Sequence, residues 1–361
     1  MHIGDLLLVT PILRTLRTNY KKAHIALLAD AKLADLVKNN PNIDELIAID
    51  KKGYHNKLKN YFKVVQDIRN KNFDLVINLH ANERASFCAA FSGAKKIVGY
   101  STFGLSLMFD KVMKNRKAVK HQVEAHFDVL QEFLGIKELD DHGIEMYLDK
   151  NVDKWADDFF KKTFGEEPEY IKKELPLNVI ALNAGASWPT KRWGEENYAN
   201  LADDLLDLNY GIIFLGGAMD KEIVEQITTL MRHQNHPLLK IFTGQLSLME
   251  LAAVLKKCDI LVTNDSGPMH VAVAMDVPLV TMFGASPVPG FYPYNNKSVL
   301  IKTPLKCHPC GKHHCDTLDC MKAIPVTEVL NHTLDLLEKY GNTPRPLPRE
   351  MGEYHCRIIE L

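Results

Sequence analysis

The sequence predicts an α/β protein of two doubly wound domains. Short apolar runs alternate with amphipathic helical stretches along most of the 361 residues, a pattern typical of parallel sheets covered by helices. A polar, proline-containing stretch at residues 165–177 interrupts this alternation, which then begins again. The length also favours two domains over one. We therefore predict an N-terminal domain at residues 1–165, a C-terminal domain at 178–340 and a tail at 341–361.

The composition and charge of the chain exclude several classes of protein. Hydrophobic residues make up 46% of the chain and charged residues 25%, which is ordinary for a soluble globular protein. The formal net charge of −1 gives no reason to expect a nucleic-acid partner. No apolar run reaches the roughly 18 residues of a membrane-spanning helix, and the first residues do not resemble a secretory signal. We expect the protein to be cytoplasmic. The cytoplasm disfavours structural disulfides, so we do not expect them among the 7 cysteines.

The predicted N-terminal domain begins without a strand. A loop at residues 1–5 leads directly into a helix at 6–19, whose leucines and isoleucine form an apolar stripe. An α/β domain places a buried strand before such a loop, so we expect the true start to lie upstream of Met1. Strands are predicted at residues 24–28, 45–49, 74–79, 96–99 and 144–148, and helices at residues 31–39, 56–71, 85–91, 123–134 and 154–164.

The predicted C-terminal domain repeats the alternation of strand and helix. Ser247 is a good N-cap, with Glu250 at the capping-box position three residues later. The tail at residues 341–361 receives no predicted structure. Strands are predicted at residues 179–182, 212–215, 239–242, 260–263, 278–283 and 299–302, and helices at residues 195–208, 221–232, 248–257, 269–275 and 326–340.

The turn at residues 264–268 is a candidate anion site. It lies at the carboxyl end of a buried strand, where open α/β sheets bind ligands. Asp265 or Ser266 can cap the helix that follows, and Gly267 lets a ligand approach the backbone closely. The N–H groups and dipole of the helix start favour a diphosphate, to which His270 could donate as well. An ordinary capped helix start explains these residues equally well.

The loop between the first strand and first helix of the C-terminal domain carries a second candidate. Lys191 is a plausible phosphate ligand there, and the hydroxyls of Ser187 and Thr190 can donate to the same group. The alternative is an exposed basic loop with two packed tryptophans. Because this loop and the turn at residues 264–268 both follow strands of one parallel sheet, we favour a phosphate site.

Asp5 is the candidate general base. It follows Gly4 at the start of a helix, and a carboxylate there could face the cleft between the two domains, where a ligand is expected. The simpler interpretation is a helix cap, worth about 1 kcal/mol. The dipeptide alone does not separate the two.

Two further stretches have alternative interpretations. Cysteines with a C-x₂-C-x₄-C-x₄-C spacing could bind zinc, but without a second C-x₂-C pair we favour a surface loop with reduced thiols. The basic run at residues 110–121 could receive an anionic partner or a membrane surface, although a solvated loop is the slightly favoured interpretation. The cysteines of the first stretch are Cys307, Cys310, Cys315 and Cys320.

Five segments, taken together and in this order, resemble the heptosyltransferases of lipopolysaccharide core synthesis (glycosyltransferase family 9). The resemblance covers nearly the whole chain. The segments are residues 2–13 (HIGDLLLVTPIL), 186–193 (ASWPTKRW), 243–251 (TGQLSLMEL), 264–270 (NDSGPMH) and 320–324 (CMKAI).

This resemblance implies a GT-B fold, in which two Rossmann-like domains face each other across a cleft. It implies that the first domain binds the acceptor and the second the nucleotide sugar. It also implies inverting transfer of heptose from ADP-heptose to a hydroxyl of the lipopolysaccharide inner core, without cofactor or obligatory metal. Such an enzyme would be cytoplasmic and could bind peripherally at the inner membrane, where its acceptor lies. Family members begin with a strand before the Gly-Asp loop, and this sequence does not.

Site residues are carried over by position. The resemblance implies that Asp5 is the catalytic base and that Lys191 binds the diphosphate. Glu222 and Leu246 match, more loosely, positions near the donor ribose and adenine. The residues matching the donor-binding turn are Asp265, Ser266, Gly267 and His270.

Two other functions are compatible with the same sequence. One is a GT-B enzyme with another donor, such as a UDP-sugar. The other is a nucleotide-sugar-binding protein without turnover, which would fit the absence of the first strand. Rossmann-like domains host many functions, so the fold alone does not choose among them.

Overall fold

The computed structural model describes residues 2–102, 104–113, 119–165, 177–341 and 355–361. The chain divides into two compact units, Met1–Asp141 and His142–Leu361. The division therefore precedes the predicted linker at 165–177, of which residues 166–176 lie outside the described residues.

The N-terminal unit contains five helices and five strands among its described residues. The helices are α1 (Ile3–Leu7), α2 (Thr10–Asn19), α3 (Leu58–Asn70), α4 (Glu83–Ala90) and α5 (Gln122–Leu134). The strands are β1 (Ala26–Asp30), β2 (Glu45–Ile49), β3 (Leu75–Asn78), β4 (Lys96–Gly99) and β5 (Lys111–Val112).

Two predicted elements of this half differ in the structure. The single helix predicted from residue 6 begins at Ile3 and is divided near Val9, because Pro11 has no backbone N–H with which to continue the preceding helix. The helix predicted at residues 31–39 is only a 3₁₀ turn, Ala34–Leu36. Pro41 disfavours helical geometry at the residue before it, so the segment is too short to sustain an α-helix.

The sheet of the N-terminal unit is in two pieces. β1 pairs in parallel with β2, and a separate sheet has the order β3-β4-β5. A cavity of about 820 Å³ is lined by side chains of β1, β3 and α2, among them Leu28, Ile77 and Leu13. In the described part of this unit no strand joins the two pieces or precedes α1. The described residues thus contain no strand before α1, as the sequence predicts, and the cavity is lined by residues of both pieces of the sheet.

The C-terminal unit contains the remaining elements. Its helices are α6 (Lys150–Phe164), α7 (Glu195–Asp207), α8 (Lys221–Leu230), α9 (Leu248–Lys257), α10 (Gly267–Ala274), α11 (Val288–Phe291), α12 (Asp319–Lys322) and α13 (Val326–Tyr340). Its strands are β6 (Val179–Asn183), β7 (Gly211–Phe214), β8 (Leu239–Ile241), β9 (Ile260–Asn264), β10 (Leu279–Met282), β11 (Ser298–Lys302) and β12 (Arg357–Glu360).

Helix α6 explains why the division falls where it does. Its Asp153 carboxylate pairs with the Lys256 ammonium of α9 at 2.9 Å, and the rings of Phe159 and Phe242 meet edge to face at 4.6 Å. These contacts attach α6 to the C-terminal unit, whereas the sequence predicts that it belongs to the N-terminal domain. The segment at residues 144–148, predicted to be a strand, is not a strand in the structure.

The C-terminal unit is organised around one parallel sheet of seven strands, in the order β12-β11-β10-β9-β6-β7-β8. The chain builds outward from β6 through β7 to β8, then returns to add β9 on the other side of β6. The strand order therefore reverses between β6 and β9, and ligands bind at such a switch point in open α/β sheets. β6, β7, β9 and β10 are buried along their whole lengths, as expected of strands covered by helices on both faces.

The end of the chain extends this sheet. Strand β12 pairs in parallel with β11, and Ile358 lies opposite Leu300. The sequence predicts no structure for this apolar pair, because nothing local identifies the strand with which it pairs. None of the helices in the described ranges combines the length and the apolar character needed to cross a bilayer.

Candidate functional site

The switch point brings together the loop after β6 and the turn after β9. The Asn264 side chain, at the end of β9, donates from Nδ2 to the Ala184 carbonyl at 2.8 Å. Its Oδ1 accepts the Trp193 backbone N–H at 3.1 Å. Trp193 is only 1% exposed and donates from Nε1 to the Ile324 carbonyl. The loop that carries Lys191 is therefore fixed at both ends against the core.

Lys191 and Asp265 form an ion pair at this point. The Lys191 ammonium lies 2.7 Å from Asp265 Oδ2, and the two side chains are 15% and 9% exposed. The Ser286 hydroxyl donates to the same carboxylate oxygen. A carboxylate would repel a diphosphate, so Asp265 is better suited to orient Lys191 than to contact such a ligand itself. An ammonium has three donors, so the pair leaves Lys191 able to bind an anion as well.

Helix α10 presents its N-terminus at the same edge of the sheet. Ser266 is its N-cap but makes no capping hydrogen bond with its side chain. The Ser266 hydroxyl lies 2.9 Å from Asn183 Oδ1 and 3.0 Å from Thr263 Oγ1, so its one proton is directed into the protein. We therefore assign the anion-binding role to the backbone N–H groups that begin at Gly267, where helix termini attract negative charge. His270 is buried in the first turn of this helix.

The other predicted donor-site residues are placed as follows. Thr190 is buried and its hydroxyl donates to the Lys312 carbonyl at 2.7 Å, which leaves it no proton for a phosphate. Ser187 is exposed. Glu222 lies in the first turn of α8, after β7, and half-buried Leu246 follows β8. Both follow the carboxyl ends of strands on the same side of β6.

In the N-terminal unit, Asp5 lies within helix α1 rather than in the predicted loop. Asp5 Oδ2 accepts the His2 backbone N–H at 2.8 Å, so the capping interpretation holds. The same oxygen lies 3.4 Å from His80 Nε2, and the side chain is partly exposed. The carboxylate thus has a positioning partner as well as a capping bond, and capping does not exclude a chemical role.

His80 is a functional candidate that the sequence did not single out. Asn82 Oδ1 accepts the Ala85 backbone N–H at 2.8 Å, which orients the Asn82 amide so that its Nδ2 donates to His80 Nδ1, also at 2.8 Å. In the neutral ring the proton must then lie on Nε2, which points to Asp5. The only signal in the sequence was a polar stretch directly after a buried strand.

The charge of Asp5 follows from these contacts. Burial alone would raise the pKa of the Asp5 carboxyl, but the hydrogen bonds from His80 and from the His2 N–H, with the charge of His80, hold it well below its usual range. Asp5 is therefore ionised throughout the neutral range. A general base has to be in this form before it can accept a proton.

The four cysteines of residues 307–320 are reduced in the structure. Burial raises the pKa of the Cys320 thiol, and the nearby Cys307, Cys310 and Cys315 raise it further. In the described ranges, no three His, Cys, Asp or Glu side chains are arranged to hold a metal ion.

We expect these thiols to differ in reactivity. Backbone N–H groups of Leu318 and Thr317 lower the pKa of Cys315, whereas burial raises that of Cys320. Because the thiolate is the reactive form, iodoacetamide at pH 7 should label Cys315 before Cys320. Peptide mass spectrometry over a time course measures both rates in one sample. Equal rates would contradict the expectation.

Comparison of the sequence with known proteins points to one family. The family model described as glycosyltransferase family 9 (heptosyltransferase) matches residues 61–321. The lipopolysaccharide heptosyltransferase 2 of Escherichia coli K12 is 24% identical over 83% of this chain and 85% of its own.

Solved structures agree with this match. The crystal structure of a family 9 glycosyltransferase from Veillonella parvula is 31% identical, with a TM-score of 0.82 over 94% of this chain and 95% of that one. An E. coli heptosyltransferase solved with ADP-2-deoxy-2-fluoro heptose is 16% identical, with a TM-score of 0.65 over 94% of this chain and 97% of that one; it supports the fold alone. The chain therefore belongs to glycosyltransferase family 9, the heptosyltransferase family, and is a glycosyltransferase of the GT-B fold.

Proposed function

We propose that this enzyme transfers heptose from ADP-heptose to a hydroxyl of the lipopolysaccharide inner core, with inversion at the anomeric carbon. The main support is the Lys191–Asp265 ion pair beside the N-terminus of α10, at the switch point of the C-terminal sheet. An ammonium and a helix N-terminus together form a site for a diphosphate. An ADP-heptose analogue is bound by one of the relatives described above.

The donor half of the mechanism is electrostatic. The Lys191 ammonium and the backbone N–H groups from Gly267 onward hold the diphosphate, and His270 lies in the same helical turn. These contacts strengthen as the sugar departs and the diphosphate gains charge, so they stabilise the transition state more than the ground state. Fixed donors of this kind supply the role that a metal ion has in other transferases, and we propose a metal-independent reaction. Glu222 and Leu246 would lie near the ribose and adenine.

The acceptor half depends on Asp5. We assign it the role of general base, which takes the proton of the acceptor hydroxyl as that oxygen attacks the anomeric carbon. Attack occurs on the side opposite the departing diphosphate, and this single displacement inverts the anomeric configuration. His80 holds the carboxylate in its ionised form and orients it.

The location of the acceptor suggests where the enzyme works. We propose a cytoplasmic enzyme that binds peripherally at the inner-membrane surface. The basic run at residues 110–121 is a candidate contact, but residues 114–118 lie outside the described residues. Lys120, near the end of this basic run, already pairs with the Asp128 carboxylate at 2.7 Å. The proposed binding at the membrane surface therefore does not depend on Lys120.

A thermal-shift panel tests the donor. A ligand that binds only the folded state stabilises it by about 2.7 kcal/mol at one hundred times its Kd, so ADP-heptose should raise the Tm more than UDP- or GDP-sugars at equal concentration. A larger shift with a UDP-sugar would favour a different donor. Stabilisation by ADP-heptose without product from purified core acceptor would favour a binding protein without turnover. Proton NMR of the product reports the anomeric configuration.

A further inference from the structure

We propose that the loop at residues 307–320, here called the cysteine loop, positions Lys191 for donor binding through the stacking of His313 on Trp188. The proposal rests on the donor site described above and adds a residue to it. His313 is a positioning residue, since it acts on Lys191 through Trp188.

The first observation is an aromatic stack that includes Lys191. The ring centroids of Trp188 and His313 are 3.6 Å apart, with an interplanar angle of 25°. The Lys191 ammonium lies 4.5 Å from the centroid of the same indole ring, within the range of a cation–π interaction. His313 therefore limits the movement of the ring on which the Lys191 side chain lies.

The second observation is that the cysteine loop is attached next to both partners of the ion pair. Thr190, adjacent to Lys191, donates from Oγ1 to the Lys312 carbonyl at 2.7 Å. Gly311 donates its N–H to the Ala285 carbonyl at 2.8 Å, and Ala285 is adjacent to Ser286, whose hydroxyl contacts Asp265. Three consecutive residues of the loop thus contact the segments that carry the lysine and its carboxylate.

These attachments reduce the freedom of a flexible side chain. A lysine side chain has four rotatable bonds and loses considerable conformational entropy when it is held in one position. The indole ring below the ammonium and the carboxylate beside it restrict Lys191 before a ligand arrives, so less entropy is lost on binding. Such pre-organisation increases affinity without adding a contact to the ligand.

Three variants test the proposal. His313→Ala removes the stack, and His313→Phe keeps an aromatic ring at the same position. His314→Ala is the matched control, because that ring is 85% exposed and pairs with Asp316 at the surface. Each purified variant is first compared with the unmodified enzyme by thermal melting, so that a loss of folding is recognised.

The first measurement needs no donor. Brief acetylation with acetic anhydride followed by mass spectrometry gives the labelling rate of Lys191, with exposed Lys95 as the internal reference. We expect His313→Ala to increase labelling of Lys191 by about three- to tenfold, the range of an aromatic pair interaction, and His313→Phe and His314→Ala to leave it near the unmodified rate. Unchanged labelling in His313→Ala, or equal increases in all three variants, would overturn the proposal.

The second measurement is kinetic. We expect His313→Ala to lower kcat/KM for ADP-heptose by on the order of three- to tenfold, and His313→Phe to restore it. An unchanged kcat/KM in His313→Ala would count against the proposal. If the unmodified enzyme neither binds nor uses ADP-heptose, the donor assignment fails, whereas the labelling result still decides whether His313 positions Lys191.

Discussion

Replacing Asp5 with alanine is expected to lower kcat by about a hundred- to ten-thousandfold, the usual contribution of a general base. Donor binding should remain nearly intact, because no donor contact is assigned to this side chain. The measurements are kcat with purified core acceptor and the Kd of ADP-heptose by calorimetry. If donor affinity falls as far as the rate does, the assignment of Asp5 as the base is wrong.

A second substitution separates the charge of Asp5 from its capping role. Asp5→Asn keeps an oxygen that can accept the His2 N–H but loses the basic carboxylate. We expect it to be nearly as inactive as Asp5→Ala and closer to the unmodified enzyme in stability, since a lost cap costs about 1 kcal/mol. Comparable activity of Asp5→Asn and the unmodified enzyme would mean that Asp5 acts only as a cap.

The same contacts give a pH dependence. Because the folded-state pKa of Asp5 lies below its unfolded value, its stabilising contribution is present at neutral pH and is lost as the pH falls below about 4. The base form is likewise present across the neutral range. In His80→Ala, the histidine no longer counteracts the rise that burial causes in the pKa of Asp5, so this pKa increases. The acidic limb of the plot of kcat/KM against pH should then move to higher pH. A limb that does not move would show that His80 does not control the charge of Asp5.

A carboxylate with a depressed pKa is a weak base toward a free alcohol, and this limits how Asp5 can act. The acceptor hydroxyl becomes far more acidic as its oxygen bonds to the anomeric carbon. Proton transfer late in the displacement is therefore compatible with a weak base that is always ionised. The more important property of Asp5 is then its fixed position, which His2 and His80 provide.

The sequence predicts the parts of this fold that are determined locally. Helices α9 and α13 and strand β2 have the predicted bounds, because an apolar periodicity and a capping residue such as Ser247 act within a few residues of one another. Strand β12 could not be predicted, since its structure depends on pairing with β11, more than fifty residues earlier. The segment at residues 144–148 has a strand-like pattern but is not a strand in the structure.

The geometry of the candidate site, too, can be predicted from the sequence only in part. Lys191 and Asp265 could be expected near each other, because both follow strands whose carboxyl ends meet at one edge of the sheet. The sequence could not show that Thr190 donates its proton to Lys312 or that Ser266 directs its own toward Asn183. Those bonds join residues brought together only by the tertiary fold. His80 was missed for the same reason, since its partner Asp5 is distant along the chain.

Replacing Lys191 with methionine is expected to lower kcat/KM by about a hundred- to a thousandfold, the effect of removing one fixed donor to a developing charge. The substitution has a second consequence, because it leaves the Asp265 carboxylate, 9% exposed, without its cation. Removing one partner of a buried pair destabilises a protein by up to about 3–5 kcal/mol, and the partial exposure of Lys191 reduces that cost here. Loss of activity in the single variant could therefore reflect loss of folding.

The double variant Lys191→Met with Asp265→Asn separates the two effects. The amide at position 265 can still accept the Ser286 hydroxyl that contacts the carboxylate, and no unpaired charge remains. We expect urea unfolding to show recovered stability, while kcat/KM stays as low as in the single variant. Asp265→Asn alone should retain more activity than either, because Lys191 loses its orientation but keeps its charge. Recovery of transfer in the double variant would show that Lys191 serves the fold rather than the diphosphate.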